Sequence, residues 1–93
     1  MKNRWAIDAG GFIFPNPTSD RITVAFNNIK DQYLIFEIFD ADGKQVKKLF
    51  RGMVIQGSNE FSFSASSLPP GNYVLRIAAV TSEYILAKKF VKN

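Results

Sequence analysis

Prolines, glycines and asparagines divide this chain into short apolar segments, and this segmentation limits what it can fold into. Within residues 21–26, Ile22, Val24 and Phe26 fall on one side and polar or small residues on the other. Such a period of two predicts a half-buried β-strand. Residues 59–64 alternate in the same way, and no 3.6-residue period persists for the three turns that a stable helix needs. The pattern therefore predicts an all-β chain.

The remaining segments also have the length of strands. Pro15-Asn16-Pro17 ends the apolar residues 12–14, because proline is excluded from helix interiors and central strands. Residues 33–40 are apolar on both faces, which predicts a central strand covered on both sides. Further predicted strands or short segments are residues 45–51, 53–55, 73–80 and 84–91. About seven short strands at near-regular spacing predict an antiparallel β-sandwich, immunoglobulin-like or fibronectin-like, rather than a small barrel.

A hairpin turn is predicted at Asp42-Gly43, because glycine accepts positive φ without steric cost. A two-residue loop would place Phe39 opposite Val46, whereas a three-residue loop over residues 41–43 would place Ile38 there. The sequence does not choose between these registers. Either one places Glu37 opposite a lysine of the return strand, Lys48 or Lys47.

The period-two segments also predict the core and one corner of the sandwich. Tyr73 follows the rigid Leu68-Pro69-Pro70-Gly71-Asn72 loop and opens a strand, as the corner tyrosine of immunoglobulin-like domains does. We expect its hydroxyl to be buried and bonded to nearby backbone. The predicted core residues are Ile22, Val24, Phe26, Phe36, Ile38, Phe61, Phe63, Leu75 and Ile77.

Composition limits the function classes. The 93 residues fit one domain, with residues 1–11 as a lead-in or linker and residues 12–93 as the sandwich. Cysteine and histidine are both missing, so disulfides, zinc sites of the usual type, the usual general base and a thiol nucleophile are excluded. We therefore expect neither an enzyme nor a cofactor, although a calcium site built from loop oxygens stays open. The net charge of +4 suits an anionic partner.

Four segments in order resemble one known family. Phe14-Pro15-Asn16-Pro17 opens the domain, and residues 38–46 form a hairpin with a Gly43-Lys44 step. Residues 68–77 carry Gly71 and Tyr73, and Lys88-Lys89-Phe90-Val91-Lys92 follows near the end of the sequence. Together these segments resemble the C-terminal sorting domain of the type IX (Por) secretion system. The resemblance runs over residues 14–93, although only eleven residues precede Phe12 where the family has a large cargo domain.

The resemblance implies a seven-stranded immunoglobulin-like sandwich that acts as a secretion signal and not as an enzyme. Type IX machinery would recognise it and carry a cargo, fused N-terminal to it, through the periplasm and across the outer membrane. A sortase-like cell-surface protease would then remove the domain, leaving the cargo secreted or attached to the cell surface. Neither nucleic acid nor membrane insertion is implied. We expect the chain to be an excised domain with a start Met added.

The candidate sorting residues each have a structural interpretation as well. Pro15, Asn16 and Pro17 can simply end an edge strand, Gly43 forms a turn, and Gly71 and Tyr73 form a folding corner. Their alternative role is recognition by the secretion machinery.

The terminal lysines Lys88, Lys89 and Lys92 can protect an edge strand from pairing, or an acidic receptor can recognise them. We expect them to point outward while Phe90 or Val91 packs inward. In the last hairpin, Arg76 should lie opposite Lys88 or Lys89. Like charges directly opposite each other in a sheet reduce its stability, so a retained pair of this kind would suggest that the lysine has a function.

Two other functions compete with sorting. A glycan- or nucleic-acid-binding module would use the basic surface and exposed rings such as Trp5, Tyr33 or Tyr84. A fibronectin-like spacer of an extracellular enzyme would be purely structural, would need no binding surface and should tolerate loss of its last residues. The basic run Lys44, Lys47, Lys48 and Arg51 on the hairpin has the plainer interpretation of a solvated face that Glu37 partly neutralises.

Overall fold

The computed structural model describes residues 11–80 and 85–93, and every helix or strand assigned within them is a β-strand. The strands form two antiparallel sheets, β1-β2-β5 and β4-β3-β6-β7, which confirms the predicted seven-stranded β-sandwich. In constant-type immunoglobulin domains the fourth strand joins the first sheet, whereas here β4 pairs with β3. The strands are β1 Phe12–Phe14, β2 Arg21–Asn28, β3 Gln32–Asp40, β4 Gln45–Val54, β5 Gly57–Ser64, β6 Gly71–Ala79 and β7 Ile85–Lys92.

Alternate residues of β2, β3 and β6 fill the space between the sheets. Seven of the nine predicted core residues are buried, and Phe61 and Phe63 are half-buried against them. The ring of Phe36 lies at the centre, with no exposed surface and with the rings of Phe26, Phe50, Phe61 and Phe63 at centroid distances of 5.9, 5.4, 4.9 and 5.8 Å. The contacts with Phe26, Phe61 and Phe63 join the two sheets, and the contact with Phe50 lies within the four-stranded sheet.

The prediction that β3 is covered on both faces was wrong for one face. β3 is a central strand, and its inward residues Leu34, Phe36 and Ile38 are fully buried. On its outer face, however, Tyr33 is exposed, and the residues that follow on that face are only half-buried. Side chains of the neighbouring strands shield this face in place of a third layer. The apolar sequence of β3 therefore marks a partly open surface.

The β3–β4 hairpin has the three-residue loop. The Asp40 N–H donates to the Lys44 carbonyl over 2.9 Å, and Gly43 takes a φ of +83°. Both predicted partners of Val46 were wrong, because register shifts leave Val46 and Leu49 without opposite residues. β4 also continues through Gly52, although residues 45–51 and 53–55 were predicted as separate segments, since Gly52 stays paired with Leu34.

The two ends of the sandwich differ in what they carry. Gly11 lies toward the end of the sandwich at which β2 finishes, since Phe12 pairs with Ala25, three residues before Asn28. Opposite this end lie the β3–β4 loop, the start of β6 and the end of β7. Residues 1–10 of the expected lead-in lie outside the described part of the chain, as do residues 81–84.

Candidate functional site

A groove of about 720 Å³ lies on the outer face of the four-stranded sheet, at the end that carries the β3–β4 loop. We call it the hairpin-end groove. Its size falls within the range of ligand sites in proteins, about 300–1,000 Å³. It is lined by Asn16, Phe39, Asp40, Ala41, Gly43, Asn72, Tyr73, Val74, Arg76, Lys89, Phe90 and Val91.

The floor of the groove is apolar and comes from two paired strands. Phe39 of β3 lies opposite Val74 of β6, and both project from the outer face. The guanidinium of Arg76 lies 4.9 Å from the centroid of the Phe39 ring. Its Nη2 also donates to the Glu37 carboxylate over 3.2 Å, across the same strand pair. The Phe39 ring and the Glu37 carboxylate therefore both hold Arg76 over the floor.

The charged side chains around the groove differ in whether they have hydrogen-bond or ion-pair partners. The Asp40 carboxylate accepts the N–H groups of Asp42 and Lys44 over 2.9 and 3.0 Å, which stabilises the hairpin loop. Arg76 is neutralised by Glu37. Lys89 is exposed at the rim, and its ammonium makes neither an ion pair nor a hydrogen bond with any described residue. Lys89 thus carries the free charge of the groove.

Asn16 closes the groove on the β7 side by imitating a neighbouring strand. Its side-chain oxygen accepts the Val91 N–H over 2.9 Å, and its side-chain nitrogen donates to the Lys89 carbonyl over 3.4 Å. The Thr18 N–H donates to the Val91 carbonyl, and the Asn93 N–H donates to the Thr18 carbonyl, each over 2.8 Å. Residues 15–19, the clamp segment, therefore cover the outer edge of β7 as well as ending β1.

The predicted tyrosine corner is confirmed. The Tyr73 side chain is buried, and its hydroxyl donates to the Pro69 carbonyl. Its ring stacks on Phe90 of β7 with the centroids 5.6 Å apart. The corner consequently holds both the start of β6 and the terminal strand.

The outward orientation predicted for the terminal lysines was wrong for Lys92 and for Lys88. Phe90 packs inward as expected, with Val91 exposed, and a period of two then places residues 88 and 92 on the same side as Phe90. Lys92 is buried, and its ammonium donates to the Leu68 carbonyl over 2.6 Å. Lys88 is half-buried opposite Leu75. Only Lys89 projects outward.

The prediction that Arg76 lies opposite Lys88 or Lys89 was also wrong. Arg76 lies opposite Ala87 because β6 and β7 pair one residue out of the predicted register. On its other side it faces Glu37, so Glu37 forms its ion pair with Arg76, although Lys48 is its partner in β4. The pairing of β6 with β7 therefore retains no like-charge repulsion at Arg76 that would point to a function.

Four of the nine predicted sorting residues line the groove, namely Asn16, Gly43, Tyr73 and Lys89. Pro15 and Pro17 flank Asn16 on the surface, and Gly71 opens β6 opposite Lys92. The groove also contains residues that were not predicted from the sequence as parts of a site, namely Phe39, Asn72, Val74 and Arg76. Alternation along β3 and β6 could have indicated that Phe39 and Val74 lie on the outer face. It could not have shown that they are neighbours, because the pairing of the two strands was unknown.

Among the rings proposed for a glycan or nucleic-acid site, only Tyr33 lies in the described part of the chain. Its ring is exposed at 41%, with the Arg51 guanidinium 5.9 Å from the ring centroid. Trp5 and Tyr84 lie outside that part. No group of three or more acidic side chains in residues 11–80 and 85–93 could hold a metal ion. The same residues contain no helix with the length and apolar character of a membrane span.

Comparison with known families matches residues 12–93 to the secretion system C-terminal sorting domain. Comparison with curated proteins gives no match. Domains of this family are C-terminal signals of type IX secretion and are not catalytic. They interact with the secretion machinery and follow a cargo that is secreted or displayed at the cell surface. The match covers the whole sandwich described above, and the chain belongs to the C-terminal sorting domains of the type IX secretion system.

Proposed function

We propose that the hairpin-end groove is the surface by which the type IX machinery recognises this domain and its cargo. One observation carries the proposal. The four segments that resemble the family are far apart in sequence, yet each contributes a lining residue, namely Asn16, Gly43, Tyr73 and Lys89. A purely structural role for these segments would not require them to share one solvent-open surface.

The position of the groove also suits a signal that is recognised while the cargo is attached. From Asn16 the described chain runs back through β1 to Gly11, away from the hairpin end, because β1 is antiparallel to β2. The five residue steps from Asn16 to Gly11 span up to about 17 Å, at roughly 3.3 Å per strand residue. A cargo domain N-terminal to Gly11 would therefore leave the groove accessible.

We further propose that the domain enters from the periplasm and is removed after translocation by a sortase-like surface protease. The cut would fall before Phe12, where the sandwich begins, and the cargo would stay at the cell surface. The sandwich would leave as one unit, because β1 is paired with β2 and cannot be separated without breaking the sheet.

The test is export of a fluorescent reporter fused ahead of residues 1–93, in a host with the secretion system. Lys89→Gln removes the free charge of the groove, and Val74→Asp places a carboxylate on its floor. Lys48→Gln is the matched control, because Lys48 is also exposed on the four-stranded sheet but does not line the groove.

We expect both groove variants to remain folded and to accumulate in the periplasm, while the control is exported normally. Thermal unfolding of each purified domain separates loss of recognition from loss of folding. Normal export of folded Lys89→Gln and Val74→Asp would refute the proposed role of the groove.

A further inference from the structure

The hairpin-end groove has chemical features that restrict what can bind in it. Its floor, Phe39 and Val74, is apolar and half-buried, and so favours an apolar side chain. Arg76 pairs with Glu37 through Nη2, although its buried Nε has no hydrogen-bond partner, and Asp40 holds the hairpin loop. Of the two cations that line the groove, Lys89 is the one without a carboxylate partner among the described residues. A bound partner therefore meets one available cation beside an apolar surface.

The side-chain amide of Asn72 adds a third feature. Asn72 is exposed in the groove, and its amide makes no hydrogen bond with residues 11–80 or 85–93. An amide offers one acceptor and two donors, the groups that a peptide bond complements. A phosphate or a nucleic acid would instead favour a cluster of free cations, and here the other cation that lines the groove, Arg76, is already paired with Glu37.

We infer that the groove binds an extended protein segment of the secretion machinery that carries a carboxylate beside an aliphatic side chain. The carboxylate lies over Lys89, the aliphatic side chain packs on Phe39 and Val74, and a peptide group bonds to Asn72. This inference rests on the proposed function of the groove and adds the chemistry of its partner.

The test is an NMR titration of the whole 93-residue chain with two synthetic peptides. The probe is N-acetyl-Leu-Glu-Leu-amide, whose only carboxylate is that of glutamate. The control peptide replaces glutamate with glutamine. We expect saturable shifts at the backbone amides of Phe39, Val74 and Lys89, with the acidic peptide binding about two- to fivefold more tightly, the range for a partly exposed ion pair.

Two protein variants locate the effect. Lys89→Gln should make the two peptides bind equally, and Lys48→Gln should preserve the preference. Raising the salt concentration should reduce the preference, because exposed charges are screened. Equal binding of both peptides to the unaltered protein, shifts confined to other surfaces, or the absence of any saturable shift would overturn the inference.

The export assay distinguishes this failure from failure of the proposed function. If Lys89→Gln and Val74→Asp block export but the acidic peptide has no preference, the groove is the sorting surface and its partner has another chemistry. If those variants are exported normally, the proposed function itself fails, whatever the peptides do.

Discussion

Replacement of Tyr73 by phenylalanine tests whether the corner hydroxyl stabilises the sandwich. The substitution keeps the ring that stacks on Phe90 and removes the bond to the Pro69 carbonyl. A neutral hydrogen bond contributes about 1 kcal/mol, and a buried acceptor left without a donor adds about 1–3 kcal/mol. Pro69 is exposed, so water can replace the lost donor. We therefore expect Tyr73→Phe to lower the free energy of unfolding by about 1 kcal/mol.

Urea denaturation followed by fluorescence measures this loss. With a slope of roughly 1–2 kcal/mol per molar urea, the midpoint should fall by about 0.5–1 M. In a domain of this size the melting temperature should fall by about 4–8 °C. Tyr33→Phe is the matched control, because the Tyr33 ring is exposed and its hydroxyl makes no hydrogen bond among the described residues. Equal midpoints for the two variants would refute the assigned role of the Tyr73 hydroxyl.

Three further substitutions test other parts of the structure. Gly43→Ala should cost about 1–2 kcal/mol in urea denaturation, because φ is +83° at this residue, and an unchanged midpoint would contradict the loop geometry. Asn16→Ala should speed hydrogen exchange at the Val91 amide relative to the Ile77 amide, since it removes the acceptor at 2.9 Å, and equal protection would exclude the clamp. Phe36→Leu should lower stability by more than 1 kcal/mol, whereas the same change at exposed Phe12 should be near neutral in thermal unfolding.

The strands and the corner could be predicted from sequence because their signals are local. Period two in residues 21–26 identified the inward side chains of β2, and Tyr73 after two prolines and a glycine identified the corner. The hairpin register could not be predicted, because the register shifts at Val46 and Leu49 have no local signal in the sequence.

The groove could not be predicted because it depends on which strands are neighbours. Phe39, Val74 and Lys89 share a row only after β3, β6 and β7 pair in the observed register, and a shift of one residue would separate them. The orientation of Lys92 could have been predicted from the sequence. Once Phe90 faces inward, alternation places Lys92 on the same side, where its ammonium needs an acceptor and finds the Leu68 carbonyl.

The clamp segment has a consequence for the order of events during synthesis. Asn16 and Thr18 belong to the first part of the sandwich to emerge from the ribosome, yet their partners Val91 and Asn93 are translated more than seventy residues later. Contacts of such long sequence separation form late in folding. The groove, whose wall includes Asn16 and Lys89, is therefore complete only after translation has passed the final strand. If the groove is the sorting surface, as proposed, a polypeptide released before β7 is translated would lack that surface and would not be exported.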